Sequence, residues 1–190
     1  MKSEIRLLGI DDGHFSFNQK TCLIVGAIMR GGAYLECILR NNVTTDGSDA
    51  TDICRDMIVN TRYKEQLKAI FIDGVCLAGF NIIDIQKLYS ETKIPIITIT
   101  RNKPDYNAIK QALKKHFADW EQRYQLIIKN PLQKIKTSHN PLFIHHVGIT
   151  SPEAEEIITL STIRGVIPEP LRIAHVIASG ITRGESHGKA

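Results

Sequence analysis

The chain is short of most features that announce a function outright. It has no CxxC pair: Cys22, Cys37, Cys54 and Cys76 stand singly in strand- or helix-like segments. That spacing excludes a zinc ribbon or a disulfide framework and fits a reducing, cytoplasmic compartment. No apolar run approaches the roughly 18 to 20 residues of a membrane span, so no membrane association is expected. The first residues carry charge straight into a strand, unlike a signal peptide. Aromatic residues make up only 6% of the chain, with a single Trp, and no stacking-aromatic motif separates an RNA partner from a DNA partner. Charge is also weakly biased: 24 Lys and Arg against 20 Asp and Glu give a net +4, which permits an anionic partner such as nucleic acid without requiring one. Neither an internal repeat nor a linker is visible. The 190 residues read as one domain over 1–181, long enough to bury a real core, with a polar, glycine-containing tail over 182–190 expected to be mobile.

What the chain does have is a pair of apolar strands that each end in acid. Leu7-Leu8-Gly9-Ile10 runs into Asp11-Asp12-Gly13, and Ala69-Ile70-Phe71-Ile72 runs into Asp73-Gly74. Asp-Gly is a common turn dipeptide, so each alone reads as a turn. Two of them after buried strands predict that, if the strands are neighbours, Asp11 and Asp73 face one crevice, where their repulsion calls for a cation. Between them lies an acid-rich segment, Thr44 to Asp52, which offers Asp46, Asp49 and Asp52 as a third carboxylate. Oxygen donors without cysteine suit Mg²⁺ or Mn²⁺ better than zinc, and one or two such ions suit phosphodiester hydrolysis.

The rest of the pattern predicts an α/β fold. Segments 5–10, 21–29 and 33–43 read as an antiparallel meander, with Arg30-Gly31-Gly32 as a tight turn. A helix follows to about Asn60, capped by Ser48 or Asp49; then come a strand over 69–72, a helix over 82–92 that Asn81 can cap, and a buried parallel strand over 94–100. Residues 105–128 form one long or two short helices. Segment 129–141 carries the weakest signal, 142–147 is a strand, and Ser151 (N-cap) and Pro152 (N1) open a helix to about Ser161. A last helix runs from Pro168 to about Ser179. This yields a mixed sheet, three antiparallel strands followed by parallel β–α units, with helices on both faces and a site at the carboxyl ends of the strands.

In the last helix Arg172 and His175 are three apart and share a face. An Arg and a His there can meet a phosphate, although by spacing alone a solvated face is the preferred reading. Asn81, just beyond the Asp73 strand, is a further candidate contact. Arg101, Lys103 and Lys110 can form a phosphate-facing edge, with a solvated face again the plainer reading. His145-His146 cannot chelate together, because adjacent strand residues point to opposite faces.

Five separated motifs carry a family likeness: Gly9 to Gly13, Asp46 to Asp52, Ile72-Asp73-Gly74, Ala78 to Asn81, and Ile167 to His175. Together they resemble the archaeal endonuclease dU family, which is in turn similar to endonuclease V, a metal-dependent nuclease of ribonuclease H-like fold that nicks strands near deaminated bases. The resemblance implies that Asp11 and Asp73 are metal ligands and that His175 sits at the metal site. It implies a middle carboxylate where endonuclease V has a glutamate, for which Asp49 is the choice, with Asp12 as a further ligand or supporting group. Arg172 and Asn81 would contact nucleic acid. The strand-separating wedge of endonuclease V has no clear counterpart. The expected function is thus an Mg²⁺- or Mn²⁺-dependent endonuclease in DNA repair, acting on DNA with deaminated bases, deoxyuridine in particular. Its rivals are a non-catalytic nucleic-acid-binding or regulatory protein on the same fold, and the same chemistry on RNA.

Overall fold

The structure, a computed structural model, describes residues 4–138 and 140–187. Residues 1–3 with the charge read there, His139 in the weak connection, and residues 188–190 of the expected tail lie outside them. Three long strands come first: β1 (Arg6–Asp12), β2 (Thr21–Arg30) and β3 (Tyr34–Thr44). β1 pairs antiparallel with β2, and β2 with β3, so the predicted meander forms. Then come α1 (Ala50–Val59), β4 (Leu67–Asp73), a small hairpin of β5 (Cys76–Leu77) and β6 (Asn81–Ile82), α2 (Ile85–Thr92) and β7 (Ile96–Thr100). Helices α3 (Tyr106–His116) and α4 (Trp120–Ile128) follow, with strands β8 (Gln133–Ile135) and β9 (Leu142–Val147), and finally α5 (Ser151–Ser161) and α6 (Glu169–Arg183). Among the described residues no helix is long and apolar enough to cross a membrane.

The seven strands of the main sheet are ordered β3-β2-β1-β4-β7-β9-β8. β1, β4 and β7 run parallel, and Ile10 stands beside Ile72. The parallel series ends there, because β9 returns antiparallel to β7 and brings the short β8 with it. β8 lies in the segment of weakest signal; three residues, of which only Ile135 is buried, leave no periodicity to read.

Side chains alternate across the sheet. Leu8, Ile10, Ile70 and Ile72 point to the face covered by α1 and α2, where Cys54, Ile58, Ile85 and Leu88 complete a core. Leu7, Ala69, Phe71, Ile97 and Ile99 point to the other face, against Ala154, Ile157 and Ile158 of α5 and Leu171 of α6. Ala174 and Ala178 of α6 lie on Val25 and Ala27 of β2; small residues on both sides allow this close seating. α3, α4 and the β5–β6 hairpin make a separate cluster around Ile82, Leu113 and Ile127.

Several helix starts differ in detail from the pattern. Segment 105–128 is two helices, broken at residues 117–119. α2 begins only at Ile85 and is capped by Asp84, whose side chain accepts from Gln86 N and Lys87 N; residues 81–82 belong to the hairpin instead. α5 is capped one residue early, by Thr150 in a capping box with Glu153, which leaves Ser151 at N1 and Pro152 at N2. α6 runs four residues beyond the expected Ser179, taking residues 182–183 out of the predicted tail. Residues 186–187 then bond back to it: Ser186 Oγ donates to Val176 O, and His187 N donates to Ser179 Oγ.

Candidate functional site

The residues following the Ile10–Ile72 pair are Asp11 and Asp73. Parallel register makes these two strand ends neighbours, and their odd–even phase puts both on the face covered by α6. Asp12, one residue on, has the opposite phase and turns toward the β5–β6 hairpin, where Ala78 N donates to its Oδ2. The expectation that Asp11 and Asp73 share a crevice therefore holds geometrically: an open pocket of about 230 Å³ is lined by Asp11, Asp12 and Asp73 with His14, Phe15 and His175.

His175 arrives because α6 sits directly on β1. A Cβ on Gly9 would overlap the backbone of Pro170 and Leu171, so the glycine two residues before Asp11 is what lets the first turn of α6 touch the strand. Five residues further along the helix, His175 Nδ1 lies 2.8 Å from Asp11 Oδ2. The other oxygen of Asp11 accepts from Asp12 N at 2.8 Å. Two motifs far apart in the chain are thus one contact.

The electrostatics are those of crowded acids. Burial, then the charge of Asp11, pushes the Asp73 carboxyl up to about 7. Burial also pushes Asp12 up to about 6, despite the stabilising bond from Ala78 N. His175 is raised from its ordinary value, first by its hydrogen bond to Asp11 and against the cost of burial. A charged imidazole beside three carboxylates is their internal counter-charge. Arg101, at the end of β7, lowers the pKa of Asp73 through its charge, and its Nη2 is buried without a hydrogen-bond partner. Among the described residues, no three His, Cys, Asp or Glu side chains are drawn together closely enough to enclose an ion; the carboxylates line an open crevice.

Other predicted residues are elsewhere. Asp49, the choice for the middle carboxylate, does not line the crevice. It stands at the N-cap of α1, but its oxygens accept from Thr44 N, Thr44 Oγ1 and Asn81 Nδ2. These bonds tie the end of β3 to the hairpin and are a structural task. Asn81 is likewise not at the site and does not cap α2: its Oδ1 accepts from Ala50 N, so it caps α1 from across the fold. Asp52 is paired with Arg55 and Lys87 on the surface. Asp46 accepts from Phe80 N, and its own N donates to Ala78 O, the same peptide region that holds Asp12. Arg172 does not reach the crevice either. Its guanidinium grips the buried Glu169 at 2.7 Å, while Glu169 Oε1 accepts from Arg164 N, which secures the loop entering α6. His145 and His146 point to opposite faces as expected: His145 Nδ1 donates to Pro131 O, and His146 Nδ1 to Ile149 O.

Ser179, Arg183 and His187 also line the crevice and were not foreseen. Ser179 and Arg183 follow His175 at four-residue steps, so helical spacing alone held the signal. His187 returns from beyond the helix, its carbonyl oxygen 3.3 Å from His175 Nε2, and no local pattern reports that.

The sheet order, with its three parallel central strands and antiparallel outer arms, defines a mixed α/β class that known structures share. Endonuclease V of Ciona intestinalis, solved in complex with a 24mer DNA containing an inosine followed by a ribo-adenosine, has a similar fold over 90% of this chain and 83% of that one, at a TM-score of 0.59 and 11% identity. The expected ribonuclease H-like, endonuclease V-like architecture is borne out. A protein of unknown function from Archaeoglobus fulgidus matches more tightly, with a TM-score of 0.85 and 37% identity over 94% of this chain and 98% of that one. A UPF0215 protein of Methanosarcina mazei is 48% identical over 193 residues, covering 100% of this chain and 97% of its own length. The family model described as Endonuclease dU matches residues 3–182. The chain belongs to the Endonuclease dU family.

Proposed function

We propose that this protein is a divalent-metal-dependent endonuclease that hydrolyses a phosphodiester bond in DNA carrying a deaminated base, deoxyuridine in particular. The observation that carries the reading is the adjacency of Asp11 and Asp73 at parallel strand ends, with His175 bonded to Asp11. Family membership supports a nuclease, and the Ciona intestinalis structure supports a nucleic-acid partner for this fold.

The donor set fits a hard divalent cation. Asp11 and Asp73 end side by side on one face and Asp12 lines the same open crevice, burial and mutual charge hold Asp12 and Asp73 above the ordinary range, and oxygen-only coordination is the preference of Mg²⁺ and Mn²⁺. Asp11 and Asp73 would hold the ion, with Asp12 beside them. When bound, such an ion supplies Lewis-acid polarisation of the phosphoryl oxygen and a water acidic enough to attack it. The chain's own groups do the rest. The Nδ1 proton of His175 fixes the orientation of Asp11, leaving the carboxylate's remaining lone pairs toward the crevice. Arg101 acts here through its charge, which opposes the upward shift of the Asp73 carboxyl. Asp49 has no part in this reading, because its lone pairs are committed to Thr44 and Asn81.

The test is a nicking assay on a duplex with one deoxyuridine, in Mg²⁺ and in Mn²⁺, with hypoxanthine-containing and undamaged strands and their RNA counterparts alongside. Nicking of the deoxyuridine strand that Asp73→Asn abolishes is the expected result. Equal activity in the variant, or no cleavage with either metal, overturns it.

A further inference from the structure

Three phenylalanines belonging to two edge-to-face pairs look onto one groove. The first is on the loop between β1 and β2. Phe15 packs inward on the core under the sheet, and Phe17 leans against it with ring centroids 5.6 Å apart. Phe17 is 76% exposed, yet its loop is tightly tied. Gln19 N donates to Ser16 O, Ser16 N donates to Gln19 Oε1, and His14 N donates to Thr182 Oγ1 of α6. A large apolar ring is thus held out into solvent by a fixed turn. The second pair is Phe80 and Phe117, centroids 5.7 Å apart. Arg123 braces it, with its guanidinium 4.4 Å from the Phe117 ring and Nη1 donating to Phe80 O and Gly47 O.

Between the pairs lies a groove of about 650 Å³, lined by Phe17, Asp46, Phe80, Ala112, His116 and Phe117. Asp46 is the one acid among these residues, and its Oδ1 is occupied by Phe80 N. Lys114, Lys115 and His116 close the last turn of α3; His116 lines the groove, while Lys114 Nζ lies 4.7 Å over the Trp120 ring. One loop serves both places: Gly13, His14 and Phe15 line the crevice, and Phe17, two residues on, lines the groove. An exposed ring suited to a flat partner, on a loop shared with a phosphate-class site, matches the chemistry of unpaired nucleic acid. Bases stack on such rings with little regard to sequence.

We propose that this groove receives unpaired bases of the strand whose phosphate enters the Asp11–Asp73 crevice, with Phe17 as the stacking surface. The protein then prefers single-stranded or locally opened nucleic acid over continuous duplex. The inference rests on reading the crevice as a nucleic-acid site, but it is tested by binding alone. Fluorescence anisotropy of a labelled mixed-sequence oligonucleotide, single-stranded and as its duplex, is measured in EDTA and in Mg²⁺ with the full chain. The expected result is single-strand binding about tenfold tighter than duplex binding, reduced about tenfold by Phe17→Ala with an unchanged melting temperature. Phe17→Trp restores it, and its added indole emission is quenched by the strand. Equal affinity for both forms, single-strand binding indifferent to Phe17→Ala, or no binding in either condition overturns the proposal. So does self-association that Phe17→Ala abolishes, since a second copy would then occupy the groove. Phe17-dependent binding without any nicking removes the hydrolase reading and leaves this one standing; nicking with Phe17-indifferent binding does the reverse.

Discussion

Two regions of this molecule are rich in acid, and they hold it in opposite ways. In the loop after β3, the Asp49 carboxylate is surrounded by donors, and the hydrogen bonds from Thr44 and Asn81 outweigh the cost of burial and keep it below the ordinary range. At the ends of β1 and β4, carboxylates face one another, and Asp73 and Asp12 are pushed upward. The residue type is the same; the supply of donors differs. An acid whose lone pairs are satisfied by its own chain holds the fold together, and an acid left among other acids is available to something from outside.

Substitutions that turn one kind of acid into the other's neutral analogue break this contrast most directly. Asp73→Asn is expected to cut nicking by at least about 100-fold while leaving the melting temperature equal or higher, because it removes charge from a crowded site. Nicking rates beside a thermal melt check both halves, and a large loss of stability would mean that Asp73 is structural. Next comes Gly9→Ala, which forces a Cβ into Pro170 and Leu171. The expected cost is about 3 kcal/mol, read by urea unfolding, with activity lost as His175 moves off Asp11.

Asp49→Ala removes a hydrogen-bonded carboxylate and is expected to cost about 2 kcal/mol, while nicking per folded molecule stays within about twofold. Its pH signature has a definite sign. The folded pKa is lowered, so the stabilisation is present above the unfolded value and is lost as pH falls through the folded one. The gap between wild type and variant should therefore close in acid. A catalytic collapse at neutral pH in a folded Asp49→Asn would instead make it a ligand. Asp52→Ala sits at the far end of the scale: its exposed pairing with Arg55 and Lys87 is expected to be worth no more than about 0.5 kcal/mol, within the error of most melts.

Sequence pattern read the two regions unequally for the same reason. Asp11 and Asp73 were legible because each ends an apolar strand, and parallel neighbours in one phase must bring such ends together. His175 was not legible by spacing, which favoured a solvated helix face; it was reached through a motif likeness, and the physical cause is the Gly9 contact that no helical period displays. Asp49 lies away from the crevice although the pattern offered it as the middle carboxylate: an acid in a polar loop looks alike whether or not its lone pairs are taken, and the donors that take them, Thr44 and Asn81, become neighbours only in the folded chain. The pairing of Arg172 was hidden in the same way, its partner Glu169 being buried within one turn of it. The direction of β9 escaped because the apolar pattern of a strand does not report which way it pairs, and the existence of β8 because three residues at a sheet edge carry little pattern of their own. The phenylalanine groove escaped because its rings come from positions 17, 80 and 117, with no local cluster to mark it.

The seating of α6 on β1 also sets an order in time. Asp11 and Asp73 belong to strands made early in synthesis, and their neighbouring register needs only β1 and β4 to pair. His175 lies on the helix that follows every strand in chain order, and its approach waits on Pro170 and Leu171 reaching Gly9. A chain that stops before α6 therefore carries both acids without the histidine that orients Asp11.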